Sequence, residues 1–193
     1  MNLTRVFLVA VVAGLVSACP SATLASDDGA SDRGAALLGP FKKNLKAALQ
    51  QGMMDGIPTA ITVCKDEAPA LAAEYSVGGV VMGRTSHRLR NPSNTAPLWV
   101  NAVVEGYLEP DSDRQPAVTR LDNGRWGYVE PIATQPVCLA CHGEPLAPDV
   151  AETIAAEYPD DQATGFKVGD LRGVFWVEFP GEQTASPGSS NGG

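Results

Sequence analysis

The sequence predicts an α+β fold in which an antiparallel sheet is flanked by helices. Apolar residues recur at helical spacing in the first part of the chain, whereas strand-like segments and a hairpin turn dominate the second part. Helices that precede a mixture of strands and helices with hairpin connections are typical of α+β domains with an antiparallel sheet.

Two amphipathic helices are predicted at the start of the folded unit. Apolar residues follow helical spacing over 41–49, directly behind Pro40. A second helix starts at Pro58 and is kinked or restarted at Pro69. The apolar face of this second helix comprises Ile57, Ile61, Cys64 and Ala68, so its cysteine is expected to point inward.

The other predicted elements alternate between strands and helices. In chain order they are a strand over 77–85, a helix over 97–108, hairpin strands over 117–121 and 125–132, a short helix over 149–157 and a final strand over 173–179. Asn123-Gly124 lies between the hairpin strands and supplies the positive backbone angles that a tight hairpin turn requires. A proline-bounded loop then carries the most informative motif of the chain.

That motif is Cys138-Leu139-Ala140-Cys141-His142. Two thiols three positions apart can form thioethers to the two vinyl groups of one haem, and His142 can place a ring nitrogen on the iron. A zinc site would need another Cys/His pair, and the whole chain has four cysteines and two histidines. The motif therefore predicts one covalently bound haem c.

Residues 1–25 are predicted to be a secretory signal peptide. Residues 1–5 carry a positive charge, and residues 6–16 are continuously apolar. This apolar run is well short of the roughly 18 residues that a membrane-spanning helix needs. The segment therefore predicts export, in agreement with the haem motif, because haem c proteins mature outside the cytoplasm in bacteria.

Two processing outcomes remain open. Residues 16–19 resemble a bacterial lipobox, which would leave a lipid-tethered Cys19, whereas residues 23–25 before Ser26 suit an ordinary signal peptidase. Ordinary cleavage is favoured because Pro20 directly after the cysteine is unusual for lipoproteins. Both outcomes predict a periplasmic protein, soluble or tethered by its lipid.

The exported chain is predicted to form one acidic domain. Its polar composition predicts a flexible leader over 26–34, and residues 181–193 lack the apolar side chains to order themselves, so the folded unit spans 35–180. The formal net charge of the full chain is −8. This acidity argues against nucleic acids and anionic lipids as partners.

Cys64 needs an explanation of its own. Once Cys138 and Cys141 hold the haem and Cys19 is removed or acylated, Cys64 has no disulfide partner in the chain. It is either a small buried apolar residue or a thiolate on the iron opposite His142. An open sixth position is a further alternative, and the competing sixth ligands are Met53, Met54, Met82 and His87.

Four separated parts of the chain match one family in order. They are residues 60–64 with 68–69, 83–86 with 90–94, 138–143, and 158–160 with 165–166 and 169–173. Across about 35–180 the chain resembles the periplasmic PAS-like c-type haem proteins, a family long labelled as a domain of unknown function. The resemblance implies a PAS-like fold, one haem c, and a cysteine at the Cys64 position as the second axial ligand.

A basic loop between the second helix and the hairpin is the candidate haem propionate site. Arg84, Arg88 and Arg90 lie close together in the sequence, and arginine binds carboxylates in bidentate fashion. Arg84 and Arg90 are favoured because the resemblance includes them. A solvated basic loop is the alternative. Trp99, Trp126 and Tyr128 are expected in the core.

Three functions are compatible with a haem c domain. A redox or diatomic-gas sensor would use Cys64 as a displaceable ligand, because a thiolate stabilises ferric iron and reduction weakens the iron–sulfur bond. CO, NO or oxygen could then bind, and an unidentified redox or signalling protein would detect the change. A small soluble electron carrier is the alternative. A peroxidase is disfavoured because its acid–base group would have to be His87, so no enzyme activity is predicted.

Overall fold

The structure, a computed structural model, describes residues 27–181, so the predicted signal peptide and nearly all of the predicted C-terminal tail lie outside the described residues. Among the helices of this range, none is both long and apolar enough to cross a bilayer.

In chain order the elements are α1 (Asp27–Met54), α2 (Ile57–Thr62), a π-helical turn (Val63–Glu67), α3 (Ala68–Tyr75), β1 (Val81–Thr85), a 3₁₀ turn (Pro92–Asn94), α4 (Leu98–Leu108), β2 (Ala117–Arg120), β3 (Trp126–Ala133), a second 3₁₀ turn (Pro136–Cys138), α5 (Leu139–His142), α6 (Pro148–Glu157) and β4 (Leu171–Phe179).

The four strands form one antiparallel sheet in the order β1-β4-β3-β2. β4 pairs with β1 on one side and with β3 on the other, and β2 and β3 form the predicted hairpin. The predicted α+β class with an antiparallel sheet flanked by helices is therefore confirmed.

Helix α1 corrects two predictions. Residues 27–34 form its first turns and are not a flexible leader, and Pro40 lies inside the helix although proline normally ends one. Tertiary packing overrides both local signals, because Leu38 and Phe41 on either side of the proline are completely buried. Gly34 allows the close approach, since a Cβ there would lie 2.3 Å from Cγ of Tyr128 on β3.

The predicted kink near Pro69 takes the form of a π-helical turn between α2 and α3. The N–H of Ala68 donates to the carbonyl of Val63, five residues earlier, so the chain gains one residue relative to an α-helix. Such turns are frequent at functional sites. Cys64 lies within this one.

The remaining elements agree with the sequence except for the first strand. β1 begins at Val81 and not at residue 77, because Gly78 and Gly79 adopt positive φ angles in a turn. Helix α4, the hairpin, α6 and β4 lie within two residues of their predicted bounds.

Apolar cores cover both faces of the sheet. Alternate residues of β4 face opposite sides, so Val177 and Phe179 pack with α1, whereas Val174 and Trp176 pack with α4. The expected core positions of Trp126 and Tyr128 are confirmed on the α1 side, and Trp99 packs against the α4-side core. A third, smaller core joins α2 to α6 and consists of Ile61, Val150, Ile154 and Tyr158, with Cys141 packed against it.

Candidate haem site

The CxxCH motif folds as a tight helical unit at the end of the hairpin. Cys138 closes a 3₁₀ turn, and α5 follows at once with Cys141 and His142. Helical spacing of three and four residues places these side chains on neighbouring positions of one face. All three cysteines of the described range, Cys64 included, are half-buried free thiols.

His142 is oriented by its backbone contacts. Its Nδ1 lies 2.7 Å from the carbonyl oxygen of Ala163, so Nδ1 must carry the proton and donate it there. This tautomer presents the lone pair of Nε2, which is the usual arrangement of a metal-binding histidine. Burial, aided by the charges of Arg172 and Arg90, lowers the pKa of His142 to about 2. The imidazole is therefore neutral.

Arg172 is the site residue that the sequence analysis missed. Ile132 pairs with Gly173 and Ala133 pairs with Leu171, so Arg172 is the extra residue of a β-bulge. Bulges redirect side chains, and here Nη2 of Arg172 donates to Nε2 of His142 at 3.3 Å. A charged residue inside the apolar stretch of β4 is the sequence signal that could have revealed it.

The guanidinium of Arg172 is buried and only partly hydrogen-bonded. Its Nε is buried and has no hydrogen-bond partner among the described residues. Burial, together with the charges of Arg84 and Arg90, lowers its pKa to about 10. A buried donor without a partner, close to the further cation Arg84, suits an anionic group at this site.

Arg90 connects the motif to residues 161–163, the loop segment whose Ala163 carbonyl accepts the hydrogen bond from His142. Its side chain is 8% exposed and forms a bidentate ion pair with Asp161. Nη2 also donates to the carbonyl of Cys141 at 2.6 Å and to that of Ala163 at 3.2 Å. Because these bonds engage Nε and Nη2, the geometry favours a structural role for Arg90 over the predicted propionate contact.

Arg84 on β1 and Cys64 in the π-helical turn also lie near the motif. Nη2 of Arg84 donates to the carbonyl of Cys64 at 3.0 Å, which fixes the π-helical turn to β1. Cys64 lies close enough to Cys141 to help raise the pKa of that thiol, although burial is the main cause. The structure therefore gathers the predicted site residues Cys64, Arg84, Arg90, Cys138, Cys141 and His142 in one region.

The competing sixth ligands belong to other elements, since Met53 and Met54 end α1, Met82 lies in β1 and His87 follows β1. Met82 is buried in the α1-side core, and Met54 is 75% exposed at the end of α1. The ring of His87 contacts the ring of Phe166, which in turn contacts His142. Within residues 27–181 no group of three or more His, Cys, Asp or Glu side chains could hold a metal ion by itself.

The fold and the site define an α+β domain with a CxxCH motif set in a cluster of arginines. A model of the Tll0287-like family matches residues 33–180. The crystal structure of the cyanobacterial heme-protein Tll0287 is similar, with 30% sequence identity and a TM-score of 0.50 over 66% of this chain and 74% of that chain. No curated protein matches. The chain therefore belongs to the Tll0287-like family, and the predicted kinship with a haem-protein family is confirmed.

Proposed function

We propose that this protein binds one haem c through Cys138 and Cys141, with His142 and Cys64 as the axial ligands of its iron. Family membership supports the haem, since the solved relative is a heme-protein. The observation that carries the proposal is a pair of free thiols beside a neutral imidazole whose Nδ1 is already hydrogen-bonded. Such an imidazole offers Nε2 to a metal, which would replace the hydrogen bond from Nη2 of Arg172 and free that guanidinium for another partner.

The cationic surroundings also fit a haem. A haem propionate is a carboxylate, and the buried Nε of Arg172 is a donor that a carboxylate would satisfy. Arg84 adds a second cation near His142, where its charge contributes to the lowered pKa of the imidazole. Arg172 and Arg84 are thus the proposed propionate contacts, whereas Arg90 positions the motif.

Cys64 is the proposed second axial ligand. It interacts electrostatically with Cys141, Tyr158 and Arg172, all of which line the region of the motif. Its backbone is held by Arg84, and its π-helical turn has the geometry that is frequent at functional sites. The family resemblance supports the same assignment.

The proposed role is to sense redox state or a diatomic gas such as CO, NO or oxygen. A bound haem supplies an iron whose preference for a thiolate ligand depends on its oxidation state. Release of Cys64 would free the turn Val63–Glu67, which Arg84 connects to the edge strand β1. This gives a two-state element that a partner protein could detect. The proposed PAS-like character of the domain is compatible with this role.

A small soluble electron carrier is the second candidate. Val137 is 59% exposed directly beside Cys138, which places an apolar contact next to the proposed point of haem attachment. This exposure would leave the proposed attachment point accessible to a redox partner. A carrier would keep both axial ligands in both oxidation states.

We further propose that the protein is periplasmic and is not an enzyme. The signal-like N-terminus and the c-type motif support export. A peroxidase would need an acid–base group beside the iron, and the other histidine, His87, packs edge-on with Phe166, which in turn packs edge-on with His142. Peroxide turnover that is lost in His87→Ala would contradict the non-enzymatic role.

An absorption-monitored redox titration of the matured protein, with CO added after reduction, tests the sensor. The wild type is compared with Cys64→Ser and with Met54→Leu, a matched control whose thioether is exposed at the end of α1. We expect a low potential, CO binding on reduction, and a ferric spectrum that changes in Cys64→Ser alone. A high potential, no CO binding and an indifferent Cys64→Ser would favour the electron carrier and remove Cys64 from the iron.

A further inference from the structure

A polar cleft lies next to Phe166, a residue that packs against His142. Its volume is about 130 Å³, and its lining includes His87, Arg88, Arg114, Phe166 and Asp170. Neither the motif cysteines nor His142 line it. The cleft therefore needs an explanation of its own.

Arg88 is held rigidly at one wall of this cleft. Its Nε donates to the carbonyl of Gln162 at 3.0 Å, and its Nη2 donates to the carbonyl of Thr164. Its guanidinium also lies over the ring of Phe166, with Cζ 4.5 Å from the ring centroid. Its Nη1 donates no hydrogen bond among the described residues.

Arg114 is held in the same way at the other wall. Its Nε donates to the carbonyl of Tyr107 at 3.0 Å, and its Nη1 donates to the carbonyl of Gly169 at 3.1 Å. Its Nη2 likewise donates no hydrogen bond within residues 27–181. Two guanidinium groups that are fixed by neutral carbonyls thus keep their charge and one NH₂ group each for a further partner.

The remaining polar groups leave the cleft positive. Asp170 is the carboxylate of the lining, and its Oδ2 already accepts the N–H of Lys167 at 2.8 Å. Burial and the charge of Arg88 lower the pKa of His87, so near neutral pH its ring adds no charge to the cleft. Two arginines against one engaged carboxylate suit a small anion.

We propose that this cleft binds a small oxyanion, a phosphate or a short carboxylate, between Arg88 and Arg114. Arginine is the residue that holds both groups through paired hydrogen bonds. A volume of about 130 Å³ accommodates an anion of this size, since one water occupies about 30 Å³ in the liquid.

Phe166 connects the cleft to the haem motif. Its ring meets that of His142 edge-on at 6.2 Å and that of His87 at 5.8 Å, and its N–H donates to the carbonyl of His142 at 2.8 Å. Because Arg88 lies over the ring of Phe166, an anion that shifts Arg88 would also change how Phe166 packs against His142. This coupling rests on the proposed function, whereas the binding itself does not.

Isothermal calorimetry on the matured protein tests the binding, with inorganic phosphate and acetate titrated separately in chloride buffer at constant ionic strength. Leu108 at the cleft is 44% exposed, so Leu108→Glu adds a repelling carboxylate without removing either arginine. Leu108→Gln is the matched neutral control. We expect saturable binding of one or both anions, unchanged in Leu108→Gln and weaker by about tenfold or more in Leu108→Glu.

Binding that is absent in the wild type, or equal in the two Leu108 variants, would overturn the site. Arg114→Gln provides a second check and should also weaken binding, with its fold verified by circular dichroism. Saturating anion should then shift the haem reduction potential in the wild type and in Leu108→Gln only. An unshifted reduction potential despite measured binding would refute the coupling. If the protein carried no haem, calorimetry would still test anion binding to the cleft.

Discussion

Replacing Arg90 by alanine would leave Asp161 as a buried carboxylate without its cation. The two side chains are 8% and 9% exposed, and both carboxylate oxygens accept from the guanidinium. The carbonyls of Cys141 and Ala163 would lose a donor as well. One substitution therefore removes every contact that Arg90 makes between the CxxCH motif and residues 161–163, whereas the hydrogen bonds of His142 to Ala163 and Phe166 remain.

We expect the free energy of unfolding to fall by about 3–5 kcal/mol, the range measured when one partner of a buried ion pair is removed. The carbonyl of Cys141, left without its Arg90 donor, would add roughly 1–3 kcal/mol if water did not replace the guanidinium, so the lower bound assumes hydration of the gap. The carbonyl of Ala163 keeps the N–H of His142 and adds little. A domain of this kind has in total about 5–15 kcal/mol of stability. Arg90→Ala should therefore be severely destabilised.

Urea denaturation of the matured protein, followed by far-ultraviolet circular dichroism, measures the effect. Lys65→Ala is the control, since the ion pair of Lys65 with Glu157 is about 40% exposed on both sides and should contribute almost nothing. The double variant Arg90→Met/Asp161→Leu should recover much of the loss, because no charge is left unpaired. A loss in Arg90→Ala no larger than in Lys65→Ala, or a double variant as unstable as Arg90→Ala, would refute the reasoning.

Three further predictions concern the fold, the pH response and processing. Gly34→Ala should destabilise the protein by about 1–3 kcal/mol through overlap with Tyr128, whereas Gly39→Ala, with open space around its Cβ, should stabilise it by up to about 1 kcal/mol; thermal melts compare the two. The pKa of His87 lies below its ordinary 6.5 in the folded protein, so on acidification the unfolded chain binds a proton before the folded protein does. The free energy of unfolding therefore falls as the pH drops from 6.5 toward the lower pKa of the folded state. Urea denaturation near neutral pH and at about pH 5 should therefore show a smaller loss in His87→Gln than in the wild type. Intact mass and N-terminal sequencing of the exported protein should place the first residue at Ser26, and a lipid-modified cysteine at the N-terminus would contradict that processing.

The sequence predicted the elements whose signals are local. The hairpin depends on the Asn123-Gly124 turn, in which Gly124 adopts the predicted positive φ whereas Asn123 does not. The CxxCH motif is likewise recognised from five consecutive residues, 138–142. Such features involve neighbouring residues only, so a single sequence is sufficient to find them.

Other features depend on contacts between distant parts of the chain. The polar composition of residues 27–34 and the proline at position 40 both argued against a long helix. The helix forms nonetheless because it buries Leu38 and Phe41 in the core. The role of Arg90 depends on Asp161, 71 positions later in the chain, and no sequence pattern links the two. Arg172 reaches His142 because a one-residue bulge redirects it, and strand periodicity does not reveal a bulge.

The central claim is that Cys138 and Cys141 attach the haem covalently. Intact mass spectrometry of the matured protein after acidic acetone extraction tests it, with the pyridine haemochrome spectrum recorded on the same sample. We predict that the wild type retains the mass of one haem and gives a spectrum typical of two thioether bonds, and that Cys138→Ala/Cys141→Ala loses the haem on extraction. A wild-type protein that carries no haem, or releases it into the acetone, would contradict the account.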